Sequence, residues 1–241
     1  LGSGHFETLC RAGESAPGQA VVAAMARWVL YHFHDTGEDA RIKQIHALND
    51  NAYLRPDARN LAAYLLRLRE TAPAHYQRIL RTVQLVAPFF GDFHLRPIPT
   101  NPDMIELEWV ERGQDFPFKA HALSDGTLRF ICLATLLLQP REHRPATILI
   151  DEPELGLHPY AVTVLAGLLK STAMQNQVIV STQSPILIDY FEPQDIIVVN
   201  REKGESKFRR LDEESLKLWL QDYSLGELWQ KNIFEDSPGY E

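Results

Sequence analysis

The carboxyl-terminal half of the chain alternates between two hydrophobic patterns. Short continuous apolar runs at 147–150, 178–182 and 196–199 predict buried strands. Between them, apolar residues recur every three or four positions over 126–138 and 159–170, which predicts helices packed on a sheet. Alternation of strands and helices is typical of parallel βα units. The pattern therefore predicts an α/β fold with a parallel sheet flanked by helices.

The amino-terminal half is patterned differently. An Ala/Val-rich segment over 19–28 predicts a helix, and 28–33 predicts a strand. Helical spacing over 61–69, after a cap at Asn60, and a start at Pro73 predict two further helices, the second ending near Val86. An antiparallel sheet should then precede the helix at 126, with its strands at 93–97, 105–110 and 116–120.

The sequence after the third apolar run predicts a hairpin and a helical tail. Lys203-Gly204 is a turn signal between the run at 196–199 and a polar strand to Leu211, a hairpin at the end of the sheet. The tail from Asp212 has two helical pieces, 213–221 and 225–231, and is rich in acidic residues. Five apolar residues are expected to pack this tail: Leu216, Trp219, Leu220, Leu228 and Trp229.

Two carboxylates directly follow the strand predicted at 147–150. Asp151-Glu152 lies at the carboxyl end of this strand, where open α/β sheets bind ligands. An aspartate there can hold Mg²⁺, directly or through water, and a neighbouring glutamate can take a proton from an attacking water. The alternative is a solvated strand end, which an isolated Asp-Glu pair fits equally well.

Polar segments on either side of this strand favour a functional interpretation. Upstream, Ser124 or Asp125 is placed to cap a helix, and Gly126 removes side-chain bulk from its first turn. The free N–H groups of such a helix start suit a phosphate. Downstream, the strand at 178–182 leads into Gln183-Ser184, which places hydroxyls and an amide at the same sheet edge if the strands are parallel.

These segments, in this order, resemble the carboxyl-terminal half of an ABC-type ATPase of the branch that includes RecF, the structural-maintenance-of-chromosomes (SMC) proteins and OLD-like ATPases. Leu123-Ser-Asp-Gly-Thr127 resembles the signature motif, and Ile148 to Glu152 resembles Walker B. Leu155-Gly-Leu-His-Pro159 resembles the D-loop, and Ser181-Thr-Gln-Ser-Pro185 the switch motif. The combination, spread over about sixty residues, is far more specific than any one motif.

The resemblance implies hydrolysis of Mg·ATP at a homodimer interface. Asp151 would position Mg²⁺, Glu152 would polarise the attacking water, and Gln183 would hydrogen-bond the γ-phosphate or the water. The nucleotide-binding residues implied are Ser124, Asp125, Gly126, Leu155, Gly156 and His158, of which Ser124 and the helix start at Gly126 face the γ-phosphate from the other protomer.

Three departures from the ABC pattern qualify this implication. Gln183 stands where many ABC ATPases have histidine and cannot carry a positive charge, so slow turnover is expected. Asp125 stands where many have a second glycine, which is unfavourable beside a phosphate unless the carboxylate faces away, for example to cap the helix. No segment satisfies the P-loop pattern G-x-x-x-x-G-K-[ST]. Gly2-Ser-Gly4 lacks the lysine, and Gly167-Leu-Leu-Lys-Ser171 lacks the second glycine. ATPase activity is therefore expected of the complete protein, and this chain alone is expected to be inactive.

The resemblance also suggests a division of the chain into four regions. Residues 1–40 would be part of the ATPase core, 41–92 a helical lobe, 93–211 the core with the motifs, and 212–241 the acidic tail. Region 41–81 has eight Lys/Arg against three acids. One interpretation is a solvated helix face; the other is a contact with DNA, through its backbone, or with an effector protein.

Composition narrows the remaining possibilities. A net charge of −8 argues against a surface that coats nucleic acid generally. Two cysteines, Cys10 and Cys132, provide no disulfide framework, and no membrane span or signal peptide is apparent, so a cytoplasmic protein is expected. His32 and His34, with Asp35 nearby, could bind a metal, but packed histidines on a half-buried strand are favoured because no further ligand follows at a suitable spacing.

Two classes of function remain. The first is an ATPase that dimerises with nucleotide and acts in DNA repair or phage defence. The second is a nucleotide-gated switch or interaction subunit without catalysis of its own. A nuclease finds no support, because no second acidic cluster with metal spacing follows residue 200.

Overall fold

The computed structural model describes residues 16–202 and 204–234. The strands are β1 (Trp28–Tyr31), β2 (His46–Ala47), β3 (Phe90–Phe93), β4 (Pro97–Ile98), β5 (Asn101–Ile105), β6 (Glu108–Glu111), β7 (Pro117–Lys119), β8 (Thr147–Asp151), β9 (Gln177–Ser181), β10 (Ile197–Glu202) and β11 (Glu205–Arg210). The α-helices are α1 (Ala16–Met25), α2 (Leu61–Thr71), α3 (Pro73–Val86), α4 (Asp125–Leu138), α5 (Pro159–Ala173), α6 (Pro185–Ile188), α7 (Glu213–Leu216) and α8 (Leu225–Gln230).

A parallel sheet in the order β1-β8-β9 organises the fold. The predicted α/β class with a parallel sheet is thereby confirmed. The register places Leu30, Leu149 and Ile179 side by side in one row across the three strands. Leu30 and Ile179 are exposed, whereas Ile148 and Ile150 on the opposite face of β8 are buried.

Helices α4 and α5 share the hydrophobic core with the buried face of this sheet. Every residue of α4 from Phe130 to Leu138 is buried, as expected for a helix that is apolar nearly all round. Helices α2 and α3 contribute to the same core, which therefore extends from the parallel sheet into the region predicted to be helical.

Two small antiparallel sheets lie before α4 in the chain, in the orders β2-β5-β4 and β3-β6-β7. The sequence pattern predicted one antiparallel sheet in this region. Strand β7 leads through a short 3₁₀ turn at Ala120–Ala122 into Ser124, the cap of α4. The ring of Trp109 stacks on Phe90 with a centroid distance of 5.4 Å, which joins β6 to β3.

The last part of the chain differs from the prediction. Strand β10 pairs antiparallel with β11 in a separate two-stranded sheet, so the hairpin does not extend the parallel sheet. The helix expected over 213–221 ends at Leu216 and is followed by a 3₁₀ turn at Trp219–Gln221. Trp219 is 44% exposed, so its predicted packing role is wrong, whereas Leu216 and Leu228 are buried in a second small core.

Some sequence features lie outside the described residues. These are the Gly2-Ser-Gly4 segment, Cys10, Lys203 of the predicted turn and residues 235–241 of the acidic tail. Cys132 lies within α4 and is buried. Among the described residues, no helix is both long enough and apolar enough to cross a bilayer.

Candidate functional site

The carboxyl ends of β8 and β9 hold two polar side chains that meet across the sheet. The register pairs Asp151 with Ser181, and Ser181 Oγ donates a hydrogen bond to Asp151 Oδ1. Asp151 is half-buried and Ser181 is exposed, so both are open to solvent. A carboxylate and a hydroxyl are oxygen donors, and the pair fits Mg²⁺ with waters completing its coordination.

Glu152 follows Asp151 in a backbone conformation that residues with a side chain rarely adopt. Its φ of 38° lies in the left-handed region, where an L-residue is sterically strained. Its N–H donates to the carbonyl oxygen of Ser181 at 2.8 Å, which ties the turn to β9. Its Oε1 accepts a 3.1 Å hydrogen bond from Gln183 Nε2. The two residues proposed from the sequence as catalytic are therefore in direct contact.

Glu154 lies beside this pair and was not identified from the sequence. Thr182 Oγ1 donates to Glu154 Oε1, and Glu154 Oε2 is buried without a hydrogen-bond partner in the described part of the chain. A buried carboxylate oxygen without a donor is costly, so Glu154 Oε2 is expected to take a partner outside the protein, such as a water molecule or an ion. The signal was present in the sequence, since Glu154 belongs to the same acidic run as Glu152.

The start of α4 packs against the turn that follows β8. Ser124 caps the helix by accepting a hydrogen bond from Thr127 N at 3.2 Å. A Cβ on Gly126 would overlap the carbonyl oxygen of Gly156, which itself has a positive φ of 75°. The signature-like and D-loop-like segments are therefore in backbone contact, and Glu152 lies at the other end of the same turn.

Arg129 holds this contact together. One terminal nitrogen donates to the carbonyl oxygen of Leu155 at 2.7 Å, and the other donates to the carbonyl oxygen of His34 at 3.0 Å. The side chain thereby links α4, the turn after β8 and the segment after β1. Nothing in the sequence pointed to Arg129, because its partners are 26 and 95 residues away.

Asp125 forms an ion pair that the sequence did not predict. Its Oδ1 lies 3.7 Å from Lys43 Nζ, and the Lys43 side chain is only 6% exposed. The cap of α4 is Ser124, so Asp125 does not have the capping role considered for it. The start of a helix favours anions, and the negative charge of Asp125 works against the binding of one there. The ion pair with Lys43 offsets that charge.

The other residues of the D-loop-like segment lie between the acidic turn and the start of α5. His158 is its N-cap, and His158 Nδ1 accepts a hydrogen bond from Tyr160 N at 3.2 Å. Leu155 is exposed, with its carbonyl group held by Arg129. The Leu155 and His158 side chains are thus on the surface next to the acidic turn.

The two histidines after β1 lie against the end of β8. His32 Nδ1 is 3.8 Å from Asp151 Oδ2, and His34 Nε2 is 2.9 Å from the carbonyl oxygen of Asp151. Asp35, which the sequence suggested as a third ligand, is replaced by Asp151 in this cluster. Burial raises the pKa of the adjacent Tyr31 to about 12, so its phenol stays protonated at neutral pH.

Most basic residues of region 41–81 have partners within the protein. Arg55 pairs with Asp50 at 2.9 Å, and Arg59 pairs with Asp57 at 2.8 Å. Burial would raise the pKa of Asp57, but the hydrogen bonds from Arg59 outweigh it and leave that pKa below its ordinary value. Further contacts involve Arg41 with Asp57, Lys43 with Asp125, Arg67 with the carbonyl oxygen of Asn51, and Arg69 with that of Leu95. These contacts favour a structural role for much of the positive charge.

Comparisons with known proteins bear on this site. Residues 12–189 match a family described as "AAA domain, putative AbiEii toxin, Type IV TA system". No curated protein matches the chain.

Solved structures of SMC heads are similar to the chain. An SMC head bound to the C-terminal winged-helix domain of ScpA is 19% identical with a TM-score of 0.53, covering 78% of this chain and 56% of that one. An SMC ATPase from a study of ATP-driven dimerisation is 22% identical with a TM-score of 0.47, covering 66% and 96%. The SMC head domain of Thermotoga maritima is 18% identical with a TM-score of 0.42, covering 63% and 52%. The chain thus spans about half the length of two of these three structures.

Proposed function

We propose that this chain, which belongs to the AAA-domain family matched over residues 12–189, carries the Walker B and signature part of an ATPase that hydrolyses ATP between two protomers. The family match and the SMC-head fold confirm the resemblance to the RecF/SMC-like branch of ATPases. The observation that carries the proposal is the hydrogen bond from Gln183 to Glu152, beside the Ser181–Asp151 pair at the sheet edge.

These side chains suit phosphoryl transfer, which depends mostly on positioning and charge stabilisation. Asp151, oriented by Ser181, would hold Mg²⁺ beside the phosphates, and that ion would neutralise their charge. Glu152 would accept a proton from the attacking water, and Gln183, which contacts its carboxylate, would orient the same water. Because Gln183 is neutral, we expect slow turnover.

The helix start at Ser124 would serve the partner protomer. Its first turn is partly exposed and offers the N–H groups that the Ser124 cap leaves free to an anion, and Lys43 offsets the charge of Asp125 there. The contact between Gly126 and Gly156 would couple this helix start to the acidic turn. ATP would thus contact the acidic turn of one protomer and the helix start of the other. We therefore propose that nucleotide binding drives homodimerisation.

None of the motifs in this sequence is a P-loop, so the proposed mechanism needs a P-loop supplied from elsewhere. We propose that a strand–helix unit with a P-loop adds to the parallel sheet beside β9, which pairs only with β8 among the described residues. The exposed row of Leu30, Leu149 and Ile179 would be covered in the same assembly. Without this unit, the chain is expected to release no phosphate from ATP.

The test replaces Glu152 by Gln in an assembly that contains the P-loop unit. We expect phosphate release to fall to background while ATP-dependent dimers, followed by light scattering, accumulate, because the base is lost and nucleotide binding is kept. Glu70→Gln, an exposed change of the same kind on α2, serves as control and should leave turnover intact. Unchanged phosphate release in the Glu152 variant would remove that residue from the base role.

The same assay separates the alternative, a nucleotide-gated switch without catalysis. A switch would dimerise with ATP in the unsubstituted protein and release no phosphate. Repeating the assay with DNA tests whether a nucleic acid is a partner, as expected for a role in DNA repair. The related SMC head binds a winged-helix domain of ScpA, and an effector protein is the corresponding proposal for a role in phage defence.

A further inference from the structure

A cluster of two imidazoles and one carboxylate lies where β1 and β8 end. One ligand atom from each of His32, His34 and Asp151 lies within 4.8 Å of the other two. The cluster is open to solvent, with the side chains of His32 and Asp151 55% and 43% exposed. An ion could therefore reach it without rearrangement of the core.

The sheet register explains why these distant residues meet. Tyr31, the last residue of β1, is paired with Ile150, and the residues that follow these two, His32 and Asp151, therefore lie next to each other. His34 is two residues further along and its ring lies beside that of His32, with centroids 4.2 Å apart. From the sequence alone no such third ligand could be found, because Asp151 is 117 residues away from His34.

Hydrogen bonds already orient two of the three ligands. The carbonyl oxygen of Asp151 can only accept, so the neutral His34 ring carries its proton on Nε2 and keeps a lone pair on Nδ1. Metal-binding histidines commonly donate their other ring N–H to a backbone carbonyl in this way. Ser181 Oγ donates to Asp151 Oδ1, whereas Oδ2 is the oxygen that faces His32.

The separations suit a transition-metal ion. Ligands bound at about 2 Å lie roughly 3–4 Å apart around an ion, and His32 Nδ1 is 3.8 Å from Asp151 Oδ2. Imidazole nitrogen is a ligand that Zn²⁺, Co²⁺, Ni²⁺ and similar ions prefer, whereas Mg²⁺ prefers oxygen. Two histidines and one carboxylate leave further coordination positions for water or a phosphate oxygen.

We propose that His32, His34 and Asp151 form a binding site for a divalent transition-metal ion. The site does not require nucleotide and so does not rest on the proposed ATPase function, although both use Asp151. A bound ion would compete for the carboxylate assigned to Mg²⁺, or replace Mg²⁺ beside the phosphates. The concentration of the transition metal would then affect ATP hydrolysis at this sheet edge.

The experiment uses the 241-residue chain without nucleotide and Co²⁺ as the probe. Visible absorption of Co²⁺ should change on binding, and excess Mg²⁺ should not reverse the change. His32→Ala should weaken Co²⁺ binding at least about tenfold, since even the loss of a residue that orients a metal ligand has that effect. His121→Ala removes an exposed histidine outside the cluster and should bind Co²⁺ normally.

His34 needs a more conservative change because it bonds the backbone of β8. His34→Gln retains an N–H donor, and circular dichroism checks its fold. Loss of Co²⁺ binding in both folded variants supports the site. Normal Co²⁺ binding in a variant that combines His32→Ala with His34→Gln overturns it, as does displacement of Co²⁺ by Mg²⁺.

Failure of this proposal is distinguishable from failure of the ATPase proposal. Absence of Co²⁺ binding alongside phosphate release that depends on Glu152 would remove only the transition-metal site. Co²⁺ binding alongside phosphate release that ignores Glu152 would remove only the ATPase mechanism.

Discussion

At the scale of single residues, Gly126 is the position where the first turn of α4 meets the turn after β8. We predict that Gly126→Ala destabilises the protein by about 1–3 kcal/mol, the usual cost of overpacking a close contact. The new methyl group would overlap the backbone carbonyl of Gly156, and Arg129 holds the same turn in place through its bond to Leu155. The free energy of unfolding in urea measures the effect.

Gly167 provides the matched control for this substitution. It lies in the interior of α5, and a methyl group added there would have no neighbouring side chain or other element within 4 Å. Gly167→Ala should therefore stabilise the helix by about 0.5–1 kcal/mol. Equal effects of the two substitutions would contradict the close contact at Gly126.

The site residues that the sequence predicted lie at strand ends, whereas those it missed contact distant parts of the chain. Asp151, Glu152 and Gln183 follow neighbouring apolar runs, and the carboxyl ends of parallel strands share one sheet edge, so their proximity follows from the pattern. Lys43 and Arg129 act on partners far along the chain, through side-chain reach that no periodicity encodes. The catalytic roles proposed for Asp151, Glu152 and Gln183 are predictions, and the Glu152 variant tests that of Glu152.

At the scale of elements, a buried polar contact joins α2 to the end of α4. Tyr64 Oη donates to Gln139 Oε1 at 2.5 Å, and His143 Nδ1 is 3.0 Å from the same hydroxyl. Tyr64 and Gln139 are both fully buried, and burial raises the pKa of Tyr64 above its ordinary value, so the phenol stays neutral. The helices are thus joined by a hydrogen bond from which water is excluded.

We predict that Tyr64→Phe lowers stability by about 1–3 kcal/mol, because it leaves the buried amide oxygen of Gln139 without its donor. The urea midpoint should fall with little change in the far-ultraviolet circular dichroism spectrum. Tyr53→Phe is the control, since the Tyr53 hydroxyl lies on an exposed residue and contacts Arg55. If both variants unfold at the same midpoint, the buried contact does not hold α2 to α4.

Element boundaries were predictable where the chain gives explicit signals. Helix α3 begins at Pro73 and ends at Val86, as predicted, because proline suits the first turn of a helix. The hairpin of β10 and β11 was predicted from its turn signal and is confirmed, but its separation from the parallel sheet was not predictable. The apolar run of β10 fits a strand that extends the parallel sheet as well as a strand of a separate hairpin, and only the observed sheet order distinguishes the two.

At the scale of the whole molecule, the parallel sheet is buried on one face and has an exposed apolar row on the other. Leu30 and Ile179 are 57% and 42% exposed, and Leu149 lies between them. Parallel sheets are normally covered on both faces. Nothing in the described part of the chain packs closely enough on Leu30 and Ile179 to bury them, which is the basis for proposing that the P-loop unit does.

The substitutions Leu30→Ser and Ile179→Ser together test this assembly. The exposed portions of Leu30 and Ile179 together amount to roughly one side chain. Burying one such side chain contributes about 1.5–3 kcal/mol, so its loss should lower the affinity for the P-loop unit about 10–100-fold. The isolated chain should stay folded, with some loss of stability because both side chains are already partly covered, and it should bind less of a hydrophobic dye. Titration calorimetry against the P-loop unit measures the affinity.

Phe208→Ser is the control. It removes an exposed aromatic ring from β11, away from the row of Leu30, Leu149 and Ile179, and should leave the affinity for the P-loop unit unchanged. Unaltered binding by the double variant would mean that the P-loop unit docks elsewhere, and the parallel sheet would then need another partner for its open face.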